Sequence, residues 1–357
     1  MKMTNLMKLH TLLLMLVVSS AMILGSCKKD DEIVEGDKTA LTALIATADA
    51  IADAALPANY PQADIDAFKA TLATLKAAAA TKLTQVQIDN LVVQLTEAMA
   101  TFNSKAYGYI DEGLYLNAGW HFDEGTGTTT TAFSTIQHVG TFKAGNASVF
   151  GVTALSPTWV TGVKGGNAIY LDKGAHLEVP YTTAFLPVNL TISVWIKPLE
   201  LYENNYIISQ NYWNGYKLQT QGGGKPFFTY KSTKAVNPII DADNETDNSI
   251  TAGVWKHVVI TLNGTTKELK FFVNGTLTKT WTEANKGIAP LIQTLTDPLP
   301  QPFLIGCVAT DTELATWSWT ETPTSLGYFK GAIDELKIYN IALADGQVSK
   351  LYNDEKP

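Results

Sequence analysis

Arginine is missing altogether. The 26 positive charges of the 357-residue chain are all lysines, set against 34 acids for a net charge of -8. Without a guanidinium there is no planar fork to grip a carboxylate or phosphate bidentately. Readout of guanine and of the phosphate backbone also leans on arginine, so no nucleic-acid partner is expected. Histidine is sparse. His10, His121, His138, His176 and His257 show no H-E-x-x-H or triad-like arrangement, which argues against a transition-metal centre. Cysteine is scarcer still, with Cys27 and Cys307 alone. What the chain does have is 46% apolar and 17% charged residues, the composition of a folded protein long enough for two domains.

Residues 1–27, MKMTNLMKLHTLLLMLVVSSAMILGSC, start with lysines, pass through a leucine-rich middle and end in small residues. That is the layout of a secretory signal, and its apolar middle is short for a membrane span. LGSC resembles the lipobox of bacterial lipoproteins, which implies lipidation of Cys27 and leaves Cys307 without a disulfide partner. Cys307, inside FLIGCVA, then reads as a small core residue. The following KKDDE resembles the export signal by which some Gram-negative glycan-degrading bacteria move lipoproteins to the outer face of the outer membrane. A solvated tether is the other reading of the same residues. Either way, 28–37 is a charged, flexible linker.

From Lys38 the chain turns to Ala, Leu and Thr. Leu41, Leu44, Ile45, Ala48, Ile51, Ala52 and Ala55 recur every three or four residues, the stripe of an amphipathic helix. LPANYP breaks it. Ile65, Phe68, Leu72 and Leu75 mark a second helix. Ile88, Leu91, Leu95, Met99 and Phe102 mark a third, opened by Thr84 and Gln87 at capping-box spacing. Three helices with one apolar face each predict an antiparallel bundle over 38–104. The region resembles the FIVAR-type bundles of bacterial surface proteins, and nothing ionisable converges on one face, so a spacer is expected.

Over 105–357 the period changes to alternation. LTISVWIKP, NYIISQ, YKLQTQ, PFFTYKS and VWKHVVITLNG are short β-branched and aromatic runs separated by Gly, Asn and Pro. KELKFFVNGTLTKTW predicts a hairpin about a type I′ turn at Asn274-Gly275. WHFDEGTG (120–127), VKGGNAIYLDKGAHLEVP (163–180), LTISVWIKP (190–198), GVWKHVVITLNG (253–264), LKFFVNGTL (269–277) and FKGAIDELKIYNIAL (329–343) then occur in the order seen in concanavalin A-like, laminin-G-like jelly-roll domains. The resemblance implies an all-β jelly-roll sandwich following the small helical bundle. That fold carries lectins, adhesion modules and glycosidases alike.

Sandwich glycosidases need two carboxylates ~5–9.5 Å apart across the sugar. The laminarinase-like members of the resembled group carry theirs as E-x-D-x-x-E, which this chain lacks. Asp241, Asp243, Glu245 and Asp247 of DADNETD partly imitate a calcium loop, but Thr246 stands where the turn glycine would be, and a solvated turn is expected. The resemblance implies a structural calcium held by Asp123 of the F-D-E segment and Asp334 of the I-D-E segment. The alternative is that each caps a turn or accepts backbone N–H bonds.

Trp120, Trp195 and Trp255 fall within the landmark segments and read as core, with Trp159 at an edge. Trp213 is different, lying in QNYWNGY with Tyr212 and Tyr216. So are Trp317 and Trp319 of ATWSWTET, which share a side if the stretch is extended. They belong to a segment longer than the link usual in the resembled domains. Flat indoles on a loop offer the C–H faces of a sugar a stacking surface. Folding back onto the sandwich, or contact with a protein, are the other readings. The expectation is a lipid-anchored outer-membrane protein, facing the cell exterior, that binds a polysaccharide or oligosaccharide without cleaving it. Its ligand residues would be Trp317, Trp319, Trp213, Tyr212 and Tyr216. Such lipoproteins resemble the accessories of outer-membrane glycan importers. A protein-binding adhesion module, or a glycosidase using acids such as Asp241, Glu245 and Glu313, are the alternatives.

Overall fold

The computed structural model describes residues 34–57, 59–147, 153–317 and 327–357; Cys27 and Trp319 lie outside them. The chain divides into two compact units between Phe102 and Asn103. In the first, α1 (Thr39–Ala54), α2 (Gln62–Ala79) and α3 (Gln85–Asn103) pack about one core. Leu41, Ala48, Ile65, Phe68, Leu72, Ile88, Leu91, Leu95 and Phe102 are buried, all positions of the expected stripes. Phe102 stacks between Tyr60 at 4.3 Å and Phe68 at 4.4 Å. The capping box forms: Thr84 N–H donates to Gln87 Oε1 at 2.9 Å and Gln87 N–H to Thr84 Oγ1 at 3.4 Å.

The second unit opens with α4 (Glu112–Tyr115), β1 (Leu116–Trp120), β2 (Thr129–Thr131) and β3 (Val139–Lys143). Next come β4 (Thr158–Thr161), β5 (Asn167–Leu171), β6 (His176–Val179), β7 (Asn189–Pro198) and β8 (Asn205–Gln210). β9 (Tyr216–Gln221), β10 (Lys225–Lys231), β11 (Ile239–Asp243) and β12 (Lys256–Asn263) follow. The chain closes with β13 (Glu268–Val273), β14 (Thr276–Thr282), α5 (Glu283–Lys286), β15 (Phe303–Ile305), α6 (Asp311–Leu314), β16 (Gly331–Tyr339) and α7 (Asp345–Glu355).

Two antiparallel sheets result. The first runs β14-β13-β12-β7-β16-β5-β4, with β1 also on β16; the second runs β11-β10-β9-β8-β15-β6-β3-β2. Alternation fills the space between them: Leu190, Ile192, Val194 and Ile196 of β7 face Leu218, Phe228, Tyr230, Phe303 and Ile305 of the other sheet in one core. The hairpin turns where expected, with φ of 50° at Asn274 and 71° at Gly275. A β-carbon on Gly275 would sit 2.8 Å from Tyr352, so glycine is required there twice over.

The intervening residues of β7 lie on the far side of the first sheet, and the C-terminal segment closes over them. Thr191 Oγ1 donates to Ile341 O at 2.7 Å and Trp195 Nε1 to Glu355 Oε2 at 2.8 Å. Trp195 is therefore buried beneath α7 rather than between the sheets. Trp255 is half-buried ahead of β12, outside the core in which it was expected. Lys337 pairs at short range with Glu355 and at 3.2 Å with Glu335. Burial opposes its charge, but the two carboxylates hold its pKa above the usual lysine value. His257 gives Nε2 a partner in Ser193 Oγ at 2.8 Å. Burial pushes its pKa down to about 3, so the neutral ring makes no ion pair with Glu355 at 3.8 Å. Val259, Phe272, Tyr339, Leu343, Val348 and Leu351 complete the apolar part of this seal. The centre of that outer sheet face is thereby closed.

Candidate functional site

On the second sheet, side chains directly opposite across strands share a face. The pairings Glu178–Leu304, Leu304–Ser209, Ser209–Lys217, Lys217–Thr229 and Thr229–Asp241 make one continuous row along the outer side. Tyr206, Gln219, Phe227 and Asp243 make the next. Above Tyr206 and Leu304 lies an aromatic cluster formed by two loops. Tyr212, Leu314 and Tyr328 are buried in it and Trp213 and Trp317 half-buried.

The first loop is a tight 3₁₀ turn, Tyr212–Asn214, entered through left-handed backbone at Asn211 (φ 52°) and Tyr212 (φ 44°). Such angles are uncommon for an aromatic residue and hold only where neighbours enforce them. Asn211 is enforced by its amide. Its Nδ2 donates to Pro298 O at 3.2 Å and Leu299 O at 3.0 Å, while its Oδ1 accepts from Gln301 N–H at 2.8 Å. Tyr212 N–H donates to Ser209 Oγ at 2.9 Å. A β-carbon at Gly215 would fall 2.1 Å from Gln210 O, so the exit also demands glycine. The second loop contains α6, capped by Thr310, and Glu313 on it accepts a 2.8 Å hydrogen bond from Tyr212 Oη. Burial and Glu313 both raise the phenol's pKa, so Tyr212 stays a neutral donor.

Rings from separate loops thus meet: Trp213 and Trp317 are 5.2 Å apart at 31°, and Tyr212 meets Trp213 at 4.6 Å and Trp317 edge-on at 5.0 Å. Three of the five residues singled out from sequence converge. Trp319 lies outside the described residues. Tyr216, expected beside them, is fully buried in the inter-sheet core instead, because Tyr216 and Leu218 point inward while Lys217 and Gln219 point outward. Lys217, Tyr206, Phe227 and Gln219 were not singled out from sequence. The alternation within YKLQTQ was the signal that separates Lys217 from Tyr216.

The acids occupy defined bonds. Asp241 and Asp243 are on strand β11, not in a loop; Asp241 accepts from Thr229 Oγ1 at 2.6 Å. Lys225 pairs with Asp243 at 3.3 Å and Asp247 at 3.2 Å, and Lys279 pairs with Glu245. Among the described residues no three His, Cys, Asp or Glu side chains gather as a metal cluster.

Asp123 and Asp334 both hold the β4–β5 turn. Asp123 Oδ1 accepts from Asn167 N–H at 2.8 Å; Asp334 Oδ2 accepts from Val163 N–H at 2.8 Å and its Oδ1 from Glu335 N–H at 2.9 Å. A bulge in β16 and positive φ at Glu335 (46°) and Phe122 (55°) aim them there. Burial pushes the Asp334 carboxyl up to about 7, against the pull of the Val163 and Glu335 N–H bonds, with Glu335 and Asp123 adding repulsion. A buried carboxyl opposed by neighbouring acids is one whose charged form a hard cation would stabilise.

The family model for the Concanavalin A-like lectin/glucanases superfamily, Laminin_G_3, matches residues 171–349, half of the chain. The chain belongs to this superfamily. The concanavalin A-like sandwich with N-terminal helices expected from sequence is what the strands build. Domain 4 of AbnA, a GH43 extracellular arabinanase from Geobacillus stearothermophilus, in complex with arabinotriose, is similar at 18% identity, covering 66% of this chain and 98% of that one, TM-score 0.45. The binding domain of Botulinum Neurotoxin DC in complex with SialylT is similar at 16% identity, covering 69% and 52%, TM-score 0.45. The binding domain of Paraclostridial Mosquitocidal Protein 1 is similar at 17% identity, covering 67% and 52%, TM-score 0.41. The match spans about half the length of the two toxin chains. No curated protein matches.

Proposed function

We propose that this concanavalin A-like domain binds carbohydrate without cleaving it. The observation that carries the reading is the pair of half-buried indoles, Trp213 and Trp317, brought to 5.2 Å over the outer face of the second sheet. Half-buried rings have one side packed for rigidity and area left over for a sugar's C–H face. A binding rather than hydrolytic role is supported by the engagement of the candidate acids: Asp241 with Thr229, Glu245 with Lys279, and Glu313 with Tyr212.

The rest of the reading comes from the sequence. Lipidated at Cys27, the protein would sit on the outer membrane facing outward, pass polysaccharide toward an importer, and carry the 38–104 helices as a spacer. Calcium bound between Asp123 and Asp334 would tie β1 and β16 to the β4–β5 turn.

Affinity electrophoresis in gels containing a panel of polysaccharides tests the central claim. At least one polymer is expected to retard the protein, and Trp213→Ala/Trp317→Ala to reduce its affinity about tenfold or more, since stacking contacts contribute ~0.5–1.5 kcal/mol each beyond area burial. Retardation equal in wild type and variant would refute the platform.

A further inference from the structure

Lys217 is the unusual group on the outer face. Its side chain is 6% exposed, and among the described residues its ammonium makes no ion pair. It donates to Gln219 Oε1 at 2.5 Å and lies 4.8 Å from the Tyr206 ring centroid and 5.1 Å from that of Phe227. An ammonium has three donors, and a single amide oxygen with two ring faces leaves it short of counter-charge. Burial pushes its pKa down to about 8, and Asp241 only partly offsets this.

The acids of the same row are already committed. Asp241 accepts from Thr229, and Glu178 pairs with Lys143 at 3.3 Å. Tyr206 belongs to the cluster that includes Trp213 and Trp317, so the ammonium and the indoles border one ring. On its other side, Phe227 and Asp241 form part of a cleft of about 430 Å³ lined also by Trp281, Lys286, Lys225 and the acids Asp243, Glu245 and Asp247, of which Asp243 and Asp247 pair with Lys225 and Glu245 with Lys279. The row that carries Lys217 therefore lies between the indole cluster and this cleft.

The geometry points to an acidic glycan as the ligand: Lys217 receives a sugar's anionic substituent, carboxylate or sulfate ester, while the neighbouring ring stacks on Trp213 and Trp317. This rests on the platform reading and adds the class of sugar. A lysine, being a point charge, serves either anion without the bidentate geometry an arginine would impose. The whole molecule carries a net charge of -8, so its overall charge opposes retention on a polyanion.

The test uses two matched pairs of polymers with the full-length protein: polygalacturonate against its fully methyl-esterified form, and dextran sulfate against dextran. Affinity is expected to favour the charged member of at least one pair about tenfold, the scale of one hydrogen bond to a charged group. Preference in the first pair alone identifies the carboxylate, and in the second alone the sulfate. Lys217→Met should bring that ratio to one and Lys217→Arg should keep it above one. A wild-type ratio of one in both pairs, with binding lost in Trp213→Ala/Trp317→Ala, overturns the acidic ligand and leaves the platform standing. A ratio that persists in a folded Lys217→Met variant also overturns it. Binding to none of the polymers, charged or neutral, in a broad panel removes both.

Discussion

Tyr216 and Lys217 are neighbours in sequence with opposite destinies, and the reason is a period of two. The stretch QNYWNGY reads as one aromatic loop, yet its last residue already belongs to β9, where the inward position is core. Nothing local to the loop marks that boundary; the alternation of the following KLQTQ does. The buried Tyr216 hydroxyl has no hydrogen-bond partner among the described residues, and an unsatisfied buried hydroxyl is a cost. Tyr216→Phe is accordingly expected to leave glycan retardation unchanged and stability unchanged or raised by up to about 1 kcal/mol, measured by urea unfolding. A loss of retardation in that variant would return Tyr216 to the site. Trp213 and Trp317 were legible as candidates because indoles in polar loops have no strand pattern to absorb them. Their meeting was not, since they stand 104 positions apart and the intervening fold decides it.

Elements were easier to read than contacts. The three helical stripes, the Thr84–Gln87 box and the Asn274-Gly275 hairpin are local, set by spacing and backbone preference, and each appears where its residues stand. The role of α7 was hidden, because ALADGQVSKLYNDE shows an ordinary amphipathic helix and not the sheet face it covers. Its Glu355 ends in contact with Lys337 of β16 and Trp195 of β7. Removing one member of a buried pair strands the other, so Glu355→Ala is expected to cost about 3–5 kcal/mol, read as a lower denaturation midpoint. A change below about 1 kcal/mol would mean that Glu335, 3.2 Å away, or water satisfies Lys337 without Glu355. The double variant Glu355→Leu/Lys337→Met should recover most of the loss, since apolar replacement of a whole buried pair is often neutral.

At the scale of the molecule, the six ordered landmarks made the sandwich legible, whereas the side that could take a ligand became clear only once the C-terminal segment was seen to close the first sheet. The calcium reading belongs here too, since the cation would join β1 and β16 to the β4–β5 turn. Saturating calcium is expected to raise Tm by about 5–10 °C, the size given by roughly a hundredfold excess over Kd for a domain of this length. Chelator should reverse the shift and Asp334→Asn abolish it; an unchanged Tm in calcium would leave the two aspartates as caps for the turn. The closure of one sheet face has a last consequence. On the proposed reading each copy would offer one strip to one stretch of polymer, so firm capture of a long chain would depend on how densely neighbouring copies crowd together and share it, with avidity rather than single-site affinity setting the hold.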